Sequence, residues 1–484
     1  MEKIKIDLSN LSNIFPNEFT AAQKAKAQTL FLKKLSEQAH RFYGGKMQTV
    51  PKAGVYGFNW FNVWYTPGVS QVSTILRDEP LEAYNLSNKG NLVAVVSDST
   101  RVLGDGDCGK FGGLGVMEGK AFLMKYLGGV DAVALCINNR DKNGVPNPDK
   151  VIDFVKMLEP SFGAVNLEDI SQPNCYKILD ELRSDCDIPV WHDDAQGTAS
   201  VTLAGLINAL KLADKKIEEV KTVLMGAGAA NSTIAKILMT AGMPGENMII
   251  FDSKGSLSTD RTEFAADPFA YRHWELCQKT NPHKINNIEV AMKGADVLIA
   301  VSKPGPDTVK PEWIKLMNSK AIVFTCANPI PEIYPYAAKE AGAFIVATGR
   351  GDFPNQVNNS LGFPGILKGA LTVQATKITD NMAIAAAYSL ANYAEKRGIN
   401  PDNIIPTMDE AQVFPQEAAD VAMQAVKDGV ATRILTHDQV FQIAQTDIKQ
   451  ARETMQLLMD KEMIKQPPLK MLEDVLTWTV NQFK

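Results

Sequence analysis

The sequence predicts an α/β fold with two doubly wound α/β domains. The second is a Rossmann-like dinucleotide-binding domain, and helical segments lie at the N- and C-terminal ends. Two observations carry this expectation. From Asn91 onward, short β-rich apolar runs alternate with helical stretches, the pattern of βαβ units and a parallel sheet. After a helical stretch at 199–212 the alternation begins again, so the chain holds a second such sheet. The expected division is 1–195, 196–430 and 431–484.

In chain order, residues 17–43 read as a polar, Ala- and Lys-rich helix. Pro51 to Pro67 is aromatic and punctuated by glycine, which suits a packed loop rather than a linker. The runs LVAVV (92–96), AVALCI (132–137), GAVNL (163–167) and IPVW (188–191) are the strands of the first sheet, with helices at 116–127 and 175–184 between them. The runs TVLM (222–225), MIIF (248–251), VLIAV (297–301), AIVF (321–324) and AFIVA (343–347) form the second. From about 377 the chain turns mostly helical, and 431–484 is charged and amphipathic, closing the molecule.

Composition narrows the function. Hydrophobic residues at 45% and charged residues at 22% are those of a globular chain. A net charge of −5 without basic blocks argues against nucleic acid, whose phosphates reward clustered Lys and Arg. The six cysteines are scattered without a C-x-x-C pair, as buried reduced thiols of a cytoplasmic protein would be. The N-terminal MEKIKIDLSN has no apolar core for export. The most apolar helix candidate, 382–394, is shorter than the ~20 residues a membrane span needs and carries Asn392. No membrane partner is expected.

Two glycine loops compete for a dinucleotide. Gly104, Gly106 and Gly109 spell G-x-G-x-x-G, but Asp105 and Asp107 would oppose a pyrophosphate. The loop Gly226, Ala227, Gly228, Ala229, Ala230, Asn231 holds only small neutral residues between a strand and a helix, so backbone N–H groups and a helix N-terminus can approach phosphates. The next strand ends in Asp252, at the distance expected for a ribose-binding acid. The second loop is therefore expected to bind the cofactor, and the first to be a structural turn near the site.

The chemistry gathers at strand ends. GAVNL runs into Glu168-Asp169 and IPVW into His192-Asp193-Asp194, with one helix's length between them, so the two strands are expected to be neighbours. Ligands bind at the carboxyl ends of such strands. Acids so close together repel unless a cation neutralises them, and an oxygen-rich ligand set suits Mg²⁺ or Mn²⁺. His192 reads as a hydrogen-bonded neighbour. On its helix Lys120 is flanked at three and four residues by Val116, Met117, Leu123 and Met124, so it points inward. Burial is expected to lower its pKa and make it a general base. Arg101, just after a strand, is placed to clamp a substrate carboxylate. Tyr65 precedes a rigid Thr-Pro-Gly turn and by itself reads as a core aromatic. Asn328 ends another strand. Asn358 and Asn359 either form the turn before Phe363-Pro364-Gly365 or face a ligand.

From Tyr65 to Pro415 the sequence resembles the malic enzymes. The resemblance rests on ordered motifs: YTPGV, SDSTRVLG, GVMEGKA, NLEDI, HDDAQGTAS, GAGAAN, FDSKG, ANPIPE, ATGRGDFPNQVNN and FPGI. It implies oxidative decarboxylation of L-malate to pyruvate and CO₂ with NAD or NADP and a divalent metal. Glu168, Asp169 and Asp194 would be the metal ligands, Lys120 the general base, Tyr65 the general acid, and Asp193 the support of the lysine. Arg101, Asn328 and Asn359, with Asn358 beside it, would hold malate's carboxylates. Thr198, the loop from Gly226 to Asn231, Asn328, and Asp252, Ser253 and Lys254 would meet the dinucleotide. Asp252 favours NAD, whereas Ser253 and Lys254 offer a donor and a cation to a 2′-phosphate, so both coenzymes are expected. A malolactic enzyme, which reduces bound pyruvate to lactate, is similar in the same residues and stays an alternative, as does a non-catalytic nucleotide-sensing relative, which would predict erosion of the acid trio, Lys120 or Tyr65. The family also implies a homodimer or homotetramer.

Overall fold

All nine apolar runs become parallel strands in the computed structural model, which describes residue 6 and residues 8–483. The first sheet holds β1 (Leu92–Ser97), β2 (Asp131–Cys136), β3 (Ala164–Leu167) and β4 (Val190–His192) in the order β2-β1-β3-β4. The second holds β5 (Thr222–Met225), β6 (Met248–Asp252), β7 (Gly255–Ser256), β8 (Val297–Ala300), β9 (Ala321–Thr325) and β10 (Ala343–Thr348) in the order β10-β9-β8-β5-β6-β7. β7 alone is antiparallel; it turns back along the edge from β6 through a two-residue bend. Two residues of strand were too short to be legible as a periodic run.

The strands read as apolar runs because both faces of each sheet are covered. In β1, Val93 and Val95 pack with Met117, Met124 and Trp191, while Ala94 and Val96 pack with Ile152, Val155 and Ile178 on the other face. In the second sheet, Leu224, Ile250, Ile299 and Phe324 share the first of these cores, while Val223, Ile249, Leu298 and Val323 meet Met292, Ile314 and Ile333. Each such side chain contributes about 1.5–3 kcal/mol by leaving water. One hydrophobic core thus runs between the two sheets and makes their strand ends rigid platforms.

Strand order fixes where a ligand can go. In the second sheet, chain order reverses between β5 and β8, leaving a crevice outside their carboxyl ends. In the first, β3 pairs with β4, with Leu167 opposite His192. The neighbourhood expected for these two strands is therefore realised, and their following acids emerge side by side.

The chain divides into two compact units, residues 51–451 and residues 1–50 with 452–484. In the smaller, the helix Ala21–Tyr43 is closed at its start by a Thr20–Gln23 capping box. Its Ala27 and Phe31 pack with Phe15 and with Val475 of the helix Leu469–Asn481. In the larger, Pro51–Pro67 departs from the packed loop expected. Its rings contact one another, Trp60 stacked on Trp64 and Phe58 edge-on to Phe61, and leave Tyr56 78% and Phe58 84% exposed. Mutual ring contact satisfies these aromatics only in part, because it covers one face of each ring. All six cysteines are free, and Cys108 is exposed rather than buried. Among the described residues, no helix is long and apolar enough to cross a membrane.

Candidate active site

The Leu167–His192 register puts Glu168 and Asp193 at adjacent strand ends, both buried. Asp169 follows in the left-handed region, with φ +54, a conformation uncommon for a non-glycine residue. Its backbone N–H donates to Asp194 Oδ2 at 2.8 Å, and its Oδ1 accepts from the Leu103 N–H at 3.4 Å. Its Oδ2 is buried with no partner. Glu168, Asp169 and Asp194 each offer an oxygen, and these atoms all lie within 4.8 Å of one another. Burial pushes Glu168 well above the usual carboxylate range, and burial with the Asp194 charge pushes Asp169 up to about 7. Three hard oxygen donors, one without any protein partner, are a ligand set suited to Mg²⁺ or Mn²⁺.

Lys120 points inward as expected, and is 8% exposed. Its charge state departs from expectation. Nζ bonds Asp193 Oδ2 and lies 3.0 Å from Glu168 Oε1 and 4.5 Å from the Phe363 ring centre. Burial alone would lower its pKa, but the charges of Asp193, Glu168 and Asp194 outweigh burial and hold it well above the usual lysine value. The helix pattern revealed the apolar neighbours on the same helix, not the acids supplied by β3 and β4.

Asp193 is held from three sides. Trp191 Nε1 donates to its Oδ1 at 3.1 Å, Lys120 takes its Oδ2, and Gly197 leaves it room. A Cβ at Gly197 would lie 2.0 Å from Asp193 Oδ1 and 3.3 Å from the Asn359 Cβ. Residues Asp193–Gly197 form a π turn into the helix Thr198–Ala213, a local form frequent at functional sites. His192 Nδ1 accepts the Ala195 N–H at 3.3 Å, so this residue is a hydrogen-bonded neighbour, as expected. Arg101 is exposed beside the cluster, its N–H on the Asp169 carbonyl, and its charge favours ionised Asp169. The loop 103–109 is a turn at the site: a Cβ on Gly104 would meet the Asn328 carbonyl at 2.7 Å.

The second glycine loop has the shape a pyrophosphate needs. Gly226, at φ +97, passes so close to Val301 that a Cβ would lie 2.4 Å from its carbonyl oxygen. Gly228 caps the helix Ala229–Thr240 with open space where a Cβ would stand. Ala229 and Ala230 form its first turn, aiming N–H groups outward. Asn231 differs in what its side chain does: its amide donates to the Met225 and Gly226 carbonyls at 2.8 and 2.9 Å, fixing the loop.

Asp252 stands at the end of β6, but its carboxylate is already engaged. Arg261 grips both oxygens, at 3.1 and 2.8 Å, and the Lys254 N–H adds a third bond at 2.7 Å. Ser253 and the Lys254 side chain are exposed. Sequence reasoning missed Arg261. The signal was the hairpin return at β7, which carries the chain back past Asp252.

The asparagines separate. Asn358 Oδ1 accepts from the Ser360 N–H and hydroxyl at 3.0 and 2.7 Å, so its side chain forms the turn rather than facing a ligand. Asn359 lies beside Gly197 and the Asp193 end of the cluster. Asn328 is exposed at the end of β9, with a Cβ on Gly349 placed 2.9 Å from its Nδ2. Thr198 is half-buried at the first turn of its helix. Tyr65 is 68% exposed and is not buried against the acids.

With this geometry in hand, similarity to known proteins decides the family. The malic enzyme N-terminal domain matches residues 57–183, and the malic enzyme NAD binding domain matches residues 195–428. The chain belongs to the malic enzyme family. It is 43% identical over 392 residues to the NAD-dependent malic enzyme of Geobacillus stearothermophilus, covering 81% of this chain and 78% of that one. It is 42% identical to the bifunctional malic/malolactic enzyme of Bacillus subtilis, covering 81% and 92%. The crystal structure of Entamoeba histolytica malic enzyme superposes with a TM-score of 0.97 at 61% identity, covering 100% of this chain and 99% of that one. Both NAD- and NADP-dependent malic enzymes are among the relatives. This malic enzyme is accordingly an oxidoreductase whose second sheet is the dinucleotide-binding domain.

The Gly197 contact generates a test. Gly197→Ala keeps a helical backbone (φ −64) and adds one methyl where Asp193 Oδ1 stands. Malate turnover is expected to fall about a hundredfold, as for an ångström-scale misplacement. Coenzyme affinity, read by fluorescence titration, should stay near wild type.

Proposed function

We propose that this malic enzyme oxidises L-malate at C2 and decarboxylates it to pyruvate and CO₂, reducing NAD or NADP, with Mg²⁺ or Mn²⁺ held by Glu168, Asp169 and Asp194. The observation that carries the reading is the buried acid trio, with its oxygens within 4.8 Å of one another, directly beside Lys120. When bound, the cation supplies Lewis acidity and the dinucleotide a hydride acceptor. Lys120 accepts the C2 hydroxyl proton, once charge at the acids that now favour its protonated form is neutralised. Asp193 fixes the direction of Nζ. Arg101, Asn328 and Asn359 hold the carboxylates, and Tyr65 delivers the proton to C3.

In the same reading, residues 1–195 are the substrate and metal domain, 196–430 the dinucleotide domain and 431–484 the closing segment of a cytoplasmic homodimer or homotetramer. The exposed aromatic run around Tyr65 supports an oligomer, since a contiguous apolar surface of this kind marks a contact site. A second copy covering that run would also restrain the Tyr65 ring.

The malolactic outcome remains the second reading, because one relative is named for both activities. A malate assay with each coenzyme, with and without Mn²⁺, separates them. Pyruvate with net reduced coenzyme at 340 nm is expected, and chelator should abolish it. Lactate without net reduction would establish the malolactic reaction, and full activity in excess chelator would remove the metal assignment.

Acid and base are distinguished by half-reactions. Lys120→Ala should cripple malate oxidation, whereas Tyr65→Phe should spare reduction of supplied oxaloacetate and impair protonation of the pyruvate enolate at C3. Each loss is expected at about 10²–10⁴-fold. Equal, small losses in both half-reactions would count against these roles.

Coenzyme choice is proposed to rest on Arg261 with Lys254. Arg261 neutralises Asp252 at the strand end, where a 2′-phosphate or a 2′-hydroxyl would lie, and its Nε is bonded to Glu263, so a 2′-phosphate would take the place of one of these carboxylates. Arg261→Ala should lower kcat/KM for NADP by about ten- to a hundredfold, the scale of a charge-assisted hydrogen bond, and free Asp252 for NAD. Lys254→Ala should lower the NADP/NAD ratio less. Ratios unchanged in both variants would place discrimination elsewhere.

A further inference from the structure

Glu332 lies outside every assignment made so far, yet it is a carboxyl with no exposed surface. Its Oε1 accepts the Ser302 N–H at 2.7 Å and the Ser302 hydroxyl at 3.1 Å. Its Oε2 accepts the Ala327 N–H at 3.1 Å. Ser302 belongs to the loop after β8, and Ala327 to the loop after β9. One side chain thus ties together two strand-end loops.

Each tied loop touches a part of the proposed site. The β8 loop is the surface against which Gly226 packs: a Cβ there would lie 2.4 Å from the Val301 carbonyl and 3.2 Å from Ser302 Cα. The β9 loop carries Asn328 directly after Ala327, and its carbonyl approaches Gly104 of the turn beside Asp169. We propose that Glu332 is a positioning residue that sets the distance between the dinucleotide loop and the substrate-binding Asn328. The proposal rests on the reading of Gly226–Asn231 as the coenzyme loop and Asn328 as a substrate ligand.

The chemistry predicts a pH signature. As arranged, all three partners donate, two to Oε1 and one to Oε2, so the carboxylate binds both loops most strongly; a proton on either oxygen takes a lone pair there and weakens the bonds on that side. Burial pushes Glu332 up to about 7, against the pull of these donors. The facing titratable group is the buried Cys326 thiol of the β9 end. The nearby charged pair is Arg350, bonded to the Pro329 carbonyl, with Asp352. The two-loop tie is therefore complete above pH about 7 and opens as pH falls through it.

The test is the pH profile of kcat/KM for malate, with KM for malate and coenzyme, in wild type, Glu332→Gln, Ser302→Ala and Asn328→Ala. Glu332→Gln imitates the open form. At saturating Mn²⁺, so that Asp169 stays ionised, its activity is expected to fall about a hundredfold at pH 8, with both KM values raised and the acid limb near pH 7 gone. Ser302→Ala keeps the backbone bond and removes one donor to the carboxylate, so its limb should move to higher pH. It also serves should Glu332→Gln fail to fold. A Glu332→Gln that keeps the wild-type limb and KM values, or a Ser302→Ala limb that does not move, overturns the proposal. Asn328→Ala with wild-type turnover would overturn the site reading and this proposal together; a crippled Asn328→Ala beside an unaffected Glu332→Gln overturns the proposal alone.

Discussion

The contact between Lys120 and the two acids flanking it is the constraint on which the site depends. A buried ammonium between Asp193 and Glu168 is stable only while its partners stay in register, since removing one partner of a buried pair leaves an uncompensated charge. Register comes from β3 and β4, whose pairing puts Leu167 opposite His192. The helix Leu114–Gly128 brings Lys120 to them by packing Met117 and Met124 into the core between the sheets. The Phe363 ring, from a different helix, sits against the ammonium. One sheet and two helices therefore meet at one nitrogen.

Glycines around this contact show how backbone makes room for charge. Gly197 yields space to Asp193 Oδ1 and Gly104 to the Asn328 carbonyl, while Gly226 lets its loop lie against β8's end. Only Gly226 needs its glycine for backbone conformation as well as space. The first loop has the fuller glycine spelling, but its Asp107 is spent on Arg140 and on the Gly109 N–H.

Much of this was legible in the residues because doubly covered parallel strands must be apolar on both faces; hence LVAVV and TVLM announced their strands. The neighbouring ends of β3 and β4 followed from the length of chain between them. What stayed hidden depended on contacts between distant segments. The sign of the Lys120 shift needed the positions of Asp193 and Glu168, not the helix face. Arg261 reached Asp252 only through a hairpin whose return strand is two residues long. Asn358 and Asn359 are chemically identical neighbours, and only the turn geometry spends one and leaves the other beside Gly197. The aromatic run before Pro67 read as packed because its composition is that of a core; its rings instead pair with one another at the surface.

The charge balance of the cluster explains why these residue types belong together. Glu168, Asp169, Asp193 and Asp194 surround one lysine, so with all groups ionised the site is strongly negative in a poorly hydrated setting. Protonation relieves part of this, which is why Glu168 and Asp169 are held above the usual carboxylate range. Protonated acids are poor metal ligands, and a protonated Lys120 is no base. A divalent cation held by the trio would favour the ionised acids and so weaken the field that keeps the proton on Lys120. In the proposed reading the same four acids would couple a metal at the trio to Lys120 as base, while Asp193, held by Trp191 and given room by Gly197, stays on Lys120.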